Sequence, residues 1–74
     1  MKTLREISMI RAPQITNAIM NNKVCYVYSG ENILFILNCD GLLGFTGSSI
    51  TVRQGHHAIS YDNIGVQRSI ATIR

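Results

Sequence analysis

Apolar positions in this chain come in short runs, and turn-forming residues separate them. Val24 to Tyr28 is rich in β-branched and aromatic residues, which predicts a strand. Ser29-Gly30-Glu31-Asn32 is a turn cluster. Ile33 to Leu37 predicts a second strand, apolar on both faces. A strand with one wet face alternates, so this one requires cover on both sides. Asp40-Gly41 signals a turn. Leu42 to Phe45 predicts a short strand, with Gly44 as a bend or bulge. Gly47-Ser48-Ser49 turns again. Ile50 to Arg53 alternates, placing Ile50 and Val52 on one face and Thr51 and Arg53 on the other. After Gly55, His57 to Tyr61 resumes extended character, and Asp62-Asn63 turns once more.

The two ends read differently. Ile15, Ala18, Ile19 and Asn22 fall at helical spacing, and Pro13 suits the first turn of a helix. This predicts a short helix from Pro13 to about Asn21, with Asn21 and Asn22 fitting an end that needs a left-handed residue. Before Pro13, Leu4, Ile7 and Ile10 fit a longer helix, whereas Ile7 to Arg11 fits a strand. Val66, Ile70 and Ile73 fit a helical stripe, whereas Ser69, Ala71 and Ile73 fit one face of a strand. Both choices stay open. Turns spaced roughly 8 to 12 residues apart favour an all-β architecture. The expected fold is mainly β: a small, strongly bent antiparallel sheet or barrel of about five strands with a short N-terminal helix, as a single domain over residues 1–74.

Composition supports a folded chain that needs a partner. With 46% hydrophobic and 15% charged residues it is too apolar to be disordered. A domain this short buries only about 60% of the surface its unfolded chain exposes. Together with the doubly apolar strand, this predicts a homo-oligomer. Two cysteines, Cys25 and Cys39, are too few for a disulfide scaffold, and apolar neighbours make them core thiols. That fits a cytoplasmic protein. No secretory signal is expected, and the longest apolar run is far below the roughly 20 residues of a membrane helix.

Net charge is +3, which mildly favours anionic partners, although the basic residues form no run. His56 and His57 are strand neighbours and point to opposite faces, so they do not chelate one ion together. No other Cys or His has metal-ligand spacing. Cys39-Asp40 lacks the setting of an activated thiol. Gly41, Gly44 and Gly47 lack the Lys-Ser/Thr pair of a phosphate loop. The four acidic residues form no pair for acid-base work. The expectation is a binding protein, with no catalytic residues, cofactor or metal. Tyr26 and Tyr28 share one strand face, where they either pack across strands or stack on bases. Arg11, Arg53, Arg68 and Arg74 read as solvated surface that an oligomer would repeat. The candidate ligand-binding set is Tyr26, Tyr28, Arg53, His56 and His57.

Part of the chain resembles the Hfq family of bacterial Sm-like RNA-binding proteins. Asn17-Ala18-Ile19 looks like the end of that family's helix, running toward a first strand at Val24. Gly30 looks like its turn glycine, and Asp40 like its acidic residue after the second strand. His57-Ala58-Ile59-Ser60 resembles its Lys-His-Ala-Ile-Ser stretch, with His56 standing where the lysine would be. The strand after Gly30 lacks the family's second glycine, and Met20-Asn21-Asn22 stands where arginines are common. The matches run from about Asn17 to Ser60. The resemblance implies a ring of subunits with His57 near a uridine-binding pore. Two function classes stand beside a third option, a purely structural role such as a virion or shell component. One is an RNA- or nucleotide-binding ring. The other is a small inhibitor or sponge, of the kind phages and mobile elements encode, that binds a host or defence protein or a small nucleotide signal.

Overall fold

A computed structural model describes residues 13–73. The choice between helix and strand for residues 1–12 lies outside them. Seven strands are present among the described residues: β1 Asn17–Asn21, β2 Val24–Ser29, β3 Asn32–Asn38, β4 Gly41–Phe45, β5 Ser49–Gln54, β6 His57–Asp62 and β7 Gln67–Thr72. They form two antiparallel sheets, β1-β2-β3 and β4-β5-β6-β7.

Three hairpins share one turn design. Asn21 pairs Val24, Ser29 pairs Asn32 and Gln54 pairs His57, so each turn has two central residues. The first of each pair, Asn22, Gly30 or Gly55, has φ near +60°. Glycine and asparagine reach that left-handed region at least cost. A turn closed this tightly fixes register, and register decides which face each side chain takes.

The mainly β, antiparallel expectation therefore holds, with two corrections. First, no helix occupies Pro13 to Asn21. Residues 13–16 are irregular and β1 follows. Asn22 does adopt the left-handed conformation expected of it, but as a hairpin turn rather than a helix end. Helical spacing of Ile15, Ala18 and Ile19 lost to pairing, because β1 gains a full ladder along β2. Second, the sheets do not close into a barrel of about five strands. The five expected strands are all present, and β1 and β7 add two more.

The sheets pack face to face. Cys25, Val27 and Leu37 from the first sheet meet Ile50 and Val52 of the second, and Ile15 and Cys39 from outside the strands join the same cluster. Ala18, Met20, Leu34, Phe35, Leu42 and Tyr61 pack around this centre. A bulge opposite Val27 and Tyr28 leaves Leu34 as an extra residue, so Leu34 and Phe35 both approach the core. It also explains why Ile33 and Ile36, three apart, share the outer face. The expected bulge before Gly44 is present and leaves Leu43 unpaired.

The chain changes sheets at Cys39-Asp40, which serves as a corner rather than a hairpin turn. Cys39 N–H donates to the Lys23 carbonyl in the first sheet at 2.9 Å. Asp40 N–H donates to the Arg53 carbonyl in the second at 2.7 Å. A second bridge forms at Ile15-Thr16, where the two N–H groups donate to Gly47 and Tyr28 carbonyls, each at 2.8 Å. No helix among the described residues is long and apolar enough to cross a membrane.

Candidate binding surface

The register separates the expected site residues into two places. Tyr26 and Tyr28 lie on the outer face of the three-stranded sheet, opposite to buried Cys25 and Val27. Tyr26 stands between Ile19 and Ile36 in its row, and Tyr28 between Asn17 and Ile33. Arg53 lies on the outer face of the other sheet, in a row with Gly41 and Ala58. Since the inner faces are packed together, the two outer faces look in opposite directions. His56 is in the β5–β6 turn and not, as expected, beside His57 on a strand, and His57 opens β6 opposite Gln54 and Thr72. Arg53 and the histidines thus share one hairpin, and the tyrosines do not join them.

At that hairpin the polar groups are already engaged with one another. Asp40 accepts from the Gly55 N–H at 2.6 Å and from Lys23 Nζ at 3.0 Å. These two donors, the backbone N–H first, hold its carboxyl below the usual carboxylate range. Arg53 Nη1 donates to the Gly55 carbonyl at 3.2 Å, and Gln54 donates to the Asn38 carbonyl. The arrangement ties the sheet-changing corner to the β5–β6 turn. Asp62 does the same for the β6–β7 turn. One carboxylate oxygen accepts from the N–H groups of Ile64 and Val66, each at 3.0 Å, and the other meets Arg68 Nε at 3.0 Å. The Val66 N–H is the main reason its carboxyl is also lowered.

Charge is distributed unevenly along the sequence. Residues 13–73 contain three basic groups, Lys23, Arg53 and Arg68, and three acidic ones, Glu31, Asp40 and Asp62. The sandwich is therefore neutral, and the net +3 resides in Lys2, Arg5, Glu6, Arg11 and Arg74. Two of its three cations are ion-paired, Lys23 with Asp40 and Arg68 with Asp62.

Cys25 and Cys39 are both buried and unbridged. Cys39 Sγ lies 3.6 Å from Met20 Sδ. Burial pushes both thiols up, further helped at Cys25 by its neighbour Cys39. Among the described residues no three His, Cys, Asp or Glu side chains cluster as a metal site, and no pocket forms.

What the molecule does offer is surface. The outer face of the three-stranded sheet shows Ile19, Ile33 and Ile36 at 47%, 49% and 54% exposure, around half-buried Tyr26 and Tyr28. Val24 completes the apolar patch, and Asn17, Asn21 and Asn38 edge it. No strand residue on this face is charged. The opposite outer face carries Arg53 and Asp62 among small and hydroxylated residues, with Thr51 and Ser60 hydrogen-bonded across strands at 2.8 Å. The doubly apolar Ile33 to Leu37 segment signalled half of the patch in the sequence. Ile19 carries no such signal, because its segment has helical spacing although it forms β1. No family model, curated protein or solved structure matches this chain.

Proposed function

We propose that this chain is a small binding protein that recognises an uncharged, apolar surface on another protein, using the outer face of its three-stranded sheet. The carrying observation is that face itself: three half-exposed isoleucines around two tyrosines, an asparagine edge and no charge. Protein interfaces have this anatomy, with an apolar and aromatic centre, few charges and a polar rim. A nucleic-acid surface is built on cations that neutralise phosphates, and the sandwich has no net charge to offer. The reading belongs with the small inhibitor or sequestering proteins.

An RNA-binding Sm-like ring is the second reading, favoured by Tyr26 and Tyr28 sharing one face. One experiment separates the two. A random peptide library is selected against the purified protein, and uridine-rich RNA oligonucleotides are titrated in parallel. Apolar, uncharged peptides should be enriched. Ile36→Glu should weaken them about tenfold or more, the size of a central contact, while Arg53→Ala leaves them unchanged. Peptides indifferent to Ile36→Glu would sink the proposal. RNA binding that falls steeply with salt and is lost in Tyr26→Ala would replace it with the second reading.

A further inference from the structure

The four-stranded sheet has one strand more than the sheet packed on it, and the surplus strand is β7. All six of its residues are exposed. Its inner side is committed to β6. The Ile73 N–H donates to the His56 carbonyl at 2.6 Å, and the same register pairs Ala71 with Ala58 and Ser69 with Ser60. Hydrogen-bonded and non-bonded pairs alternate in an antiparallel ladder. Ile73, Ala71 and Ser69 therefore bond inward, and the backbone N–H and C=O groups of Ile70 and Thr72 point outward. A bulge leaves Arg68 unpaired, so the regular edge begins at Ser69.

Edge strands are normally blunted by proline, charge or a bulge. Ser69-Ile70-Ala71-Thr72-Ile73 has none of these within it. The other edges are less available. β1 and β4 lie beside each other. The β3 edge is interrupted by its bulge at Leu34, beside which Gly65 of the β6–β7 turn packs on the Phe35 ring.

We propose that β7 pairs antiparallel with β7 of a second copy, about a two-fold axis through Ala71. In that register Ile70 of each copy faces Thr72 of the other. All four outward groups of each copy are then bonded, giving four hydrogen bonds. No charge stands at the centre, and Ala71 faces Ala71, where a small side chain permits the close approach of a non-bonded pair. The result is one continuous eight-stranded sheet. Its axis is perpendicular to the sheet, so both three-stranded sheets lie on the same side. If the outer faces bind protein as proposed above, the dimer presents two of them in parallel, and binding gains from bivalency. The pairing itself does not depend on that reading.

Non-bonded antiparallel partners have Cα atoms about 4.5 Å apart, within disulfide range. Ala71→Cys should therefore oxidise to a covalent dimer. Ser69→Cys, which faces Ile73 of the other copy, should form far less. Light scattering after size exclusion should find a dimer for the unmodified chain and for Ile36→Glu. Ile70→Pro removes an outward N–H and no bond to β6, so it should stay folded and raise the dimer dissociation constant at least tenfold. Thr72→Pro repeats that test should Ile70→Pro fail to fold. The proposal is overturned by a monomer at every concentration, by equal crosslinking at positions 69 and 71, or by a dimer that survives a folded proline variant. Loss of the dimer in Ile36→Glu would assign assembly to the sheet face instead.

Discussion

Ile59 and Ile70 stand directly opposite each other in the β6–β7 ladder, on one face of the sheet, yet Ile59 is 5% exposed and Ile70 is 54% exposed. The residues are chemically identical and share a row with Val52. The difference is where their strands lie: β6 is inside the four-stranded sheet, whereas β7 is its edge and every residue of β7 is exposed. Burial here follows a strand's position in the sheet, which no local pattern encodes.

This pair sets the first prediction. Truncating a buried isoleucine to alanine costs about 2–5 kcal/mol, from lost transfer energy and the cavity left behind. Ile59→Ala should fall in that range in urea denaturation. Ile70→Ala, measured at a dilution where the chain is monomeric, should cost less than about 0.5 kcal/mol, the usual range for surface changes. Equal costs would mean that β7 is covered after all.

A second prediction concerns Gly65, whose φ is +88°. A Cβ there would lie 3.4 Å from the Phe35 ring, which closes the core beside the β6–β7 turn. Alanine must either hold a backbone conformation that L residues rarely adopt or push the turn off Phe35. Gly65→Ala should destabilise by about 1–3 kcal/mol. Gly30→Ala shares the left-handed backbone but has open space around it. It should cost less, and a larger cost at Gly30 would contradict the packing of the turn on Phe35.

How far the sequence carries differs by region, for physical reasons. The five central strands are legible because short apolar or alternating runs end at turn-forming residues there. Ile50 and Val52 are fully buried, and the turns at Gly30 and Gly55 are left-handed, as that chemistry requires. β1 was not legible, since Ile15, Ala18 and Ile19 satisfy a helical period equally well, and only pairing with β2 decides. β7 was undecided because an overhanging strand carries no burial pattern at all. The tyrosine face is legible from the spacing of Tyr26 and Tyr28, and its isoleucine surround only in part. Ile33 and Ile36 share it through a bulge that shifts the period, and Ile19 comes from a segment whose spacing is helical but which pairs as β1. Chemistry alone groups Arg53 and the histidines with the tyrosines. Sheet topology, invisible in sequence, puts them elsewhere.

A third prediction follows from Asp40. Its carboxyl is lowered by the Gly55 N–H first and by Lys23 next. A group whose pKa falls on folding stabilises the fold in full above its unfolded value, about 4 for aspartate. That stabilisation is lost as pH drops through the lowered folded value. Asp62 behaves in the same sense. Asp40→Asn should therefore melt earlier than the parent chain at pH 7. The gap should narrow as pH falls below about 4, while Asp62 keeps its own acid limb in both proteins. A gap independent of pH would mean that charge at Asp40 does not hold the corner to the turn.

The last prediction tests the core from its cysteines. Cys25 and Cys39 lie inside the sandwich, and burial is the leading cause that raises both thiols above their ordinary range. At Cys39 the Gly41 backbone works against that rise without reversing it. A thiolate is the nucleophile toward alkylating and disulfide reagents, so two effects act together: few molecules are deprotonated, and reagent cannot reach those that are. Neither cysteine should react with a disulfide reagent at neutral pH while the chain is folded, and both should react on addition of denaturant. The rate should track unfolding rather than reagent concentration once reagent is in excess. Val27→Ala loosens the packing around Cys25 and, at reagent concentrations low enough for reclosing to outpace labelling, should speed labelling by the factor its loss of stability implies, since labelling through the open state then follows the opening equilibrium. Rapid labelling of the parent chain under native conditions would place Cys25 and Cys39 outside the core, and with them the face-to-face packing of the two sheets.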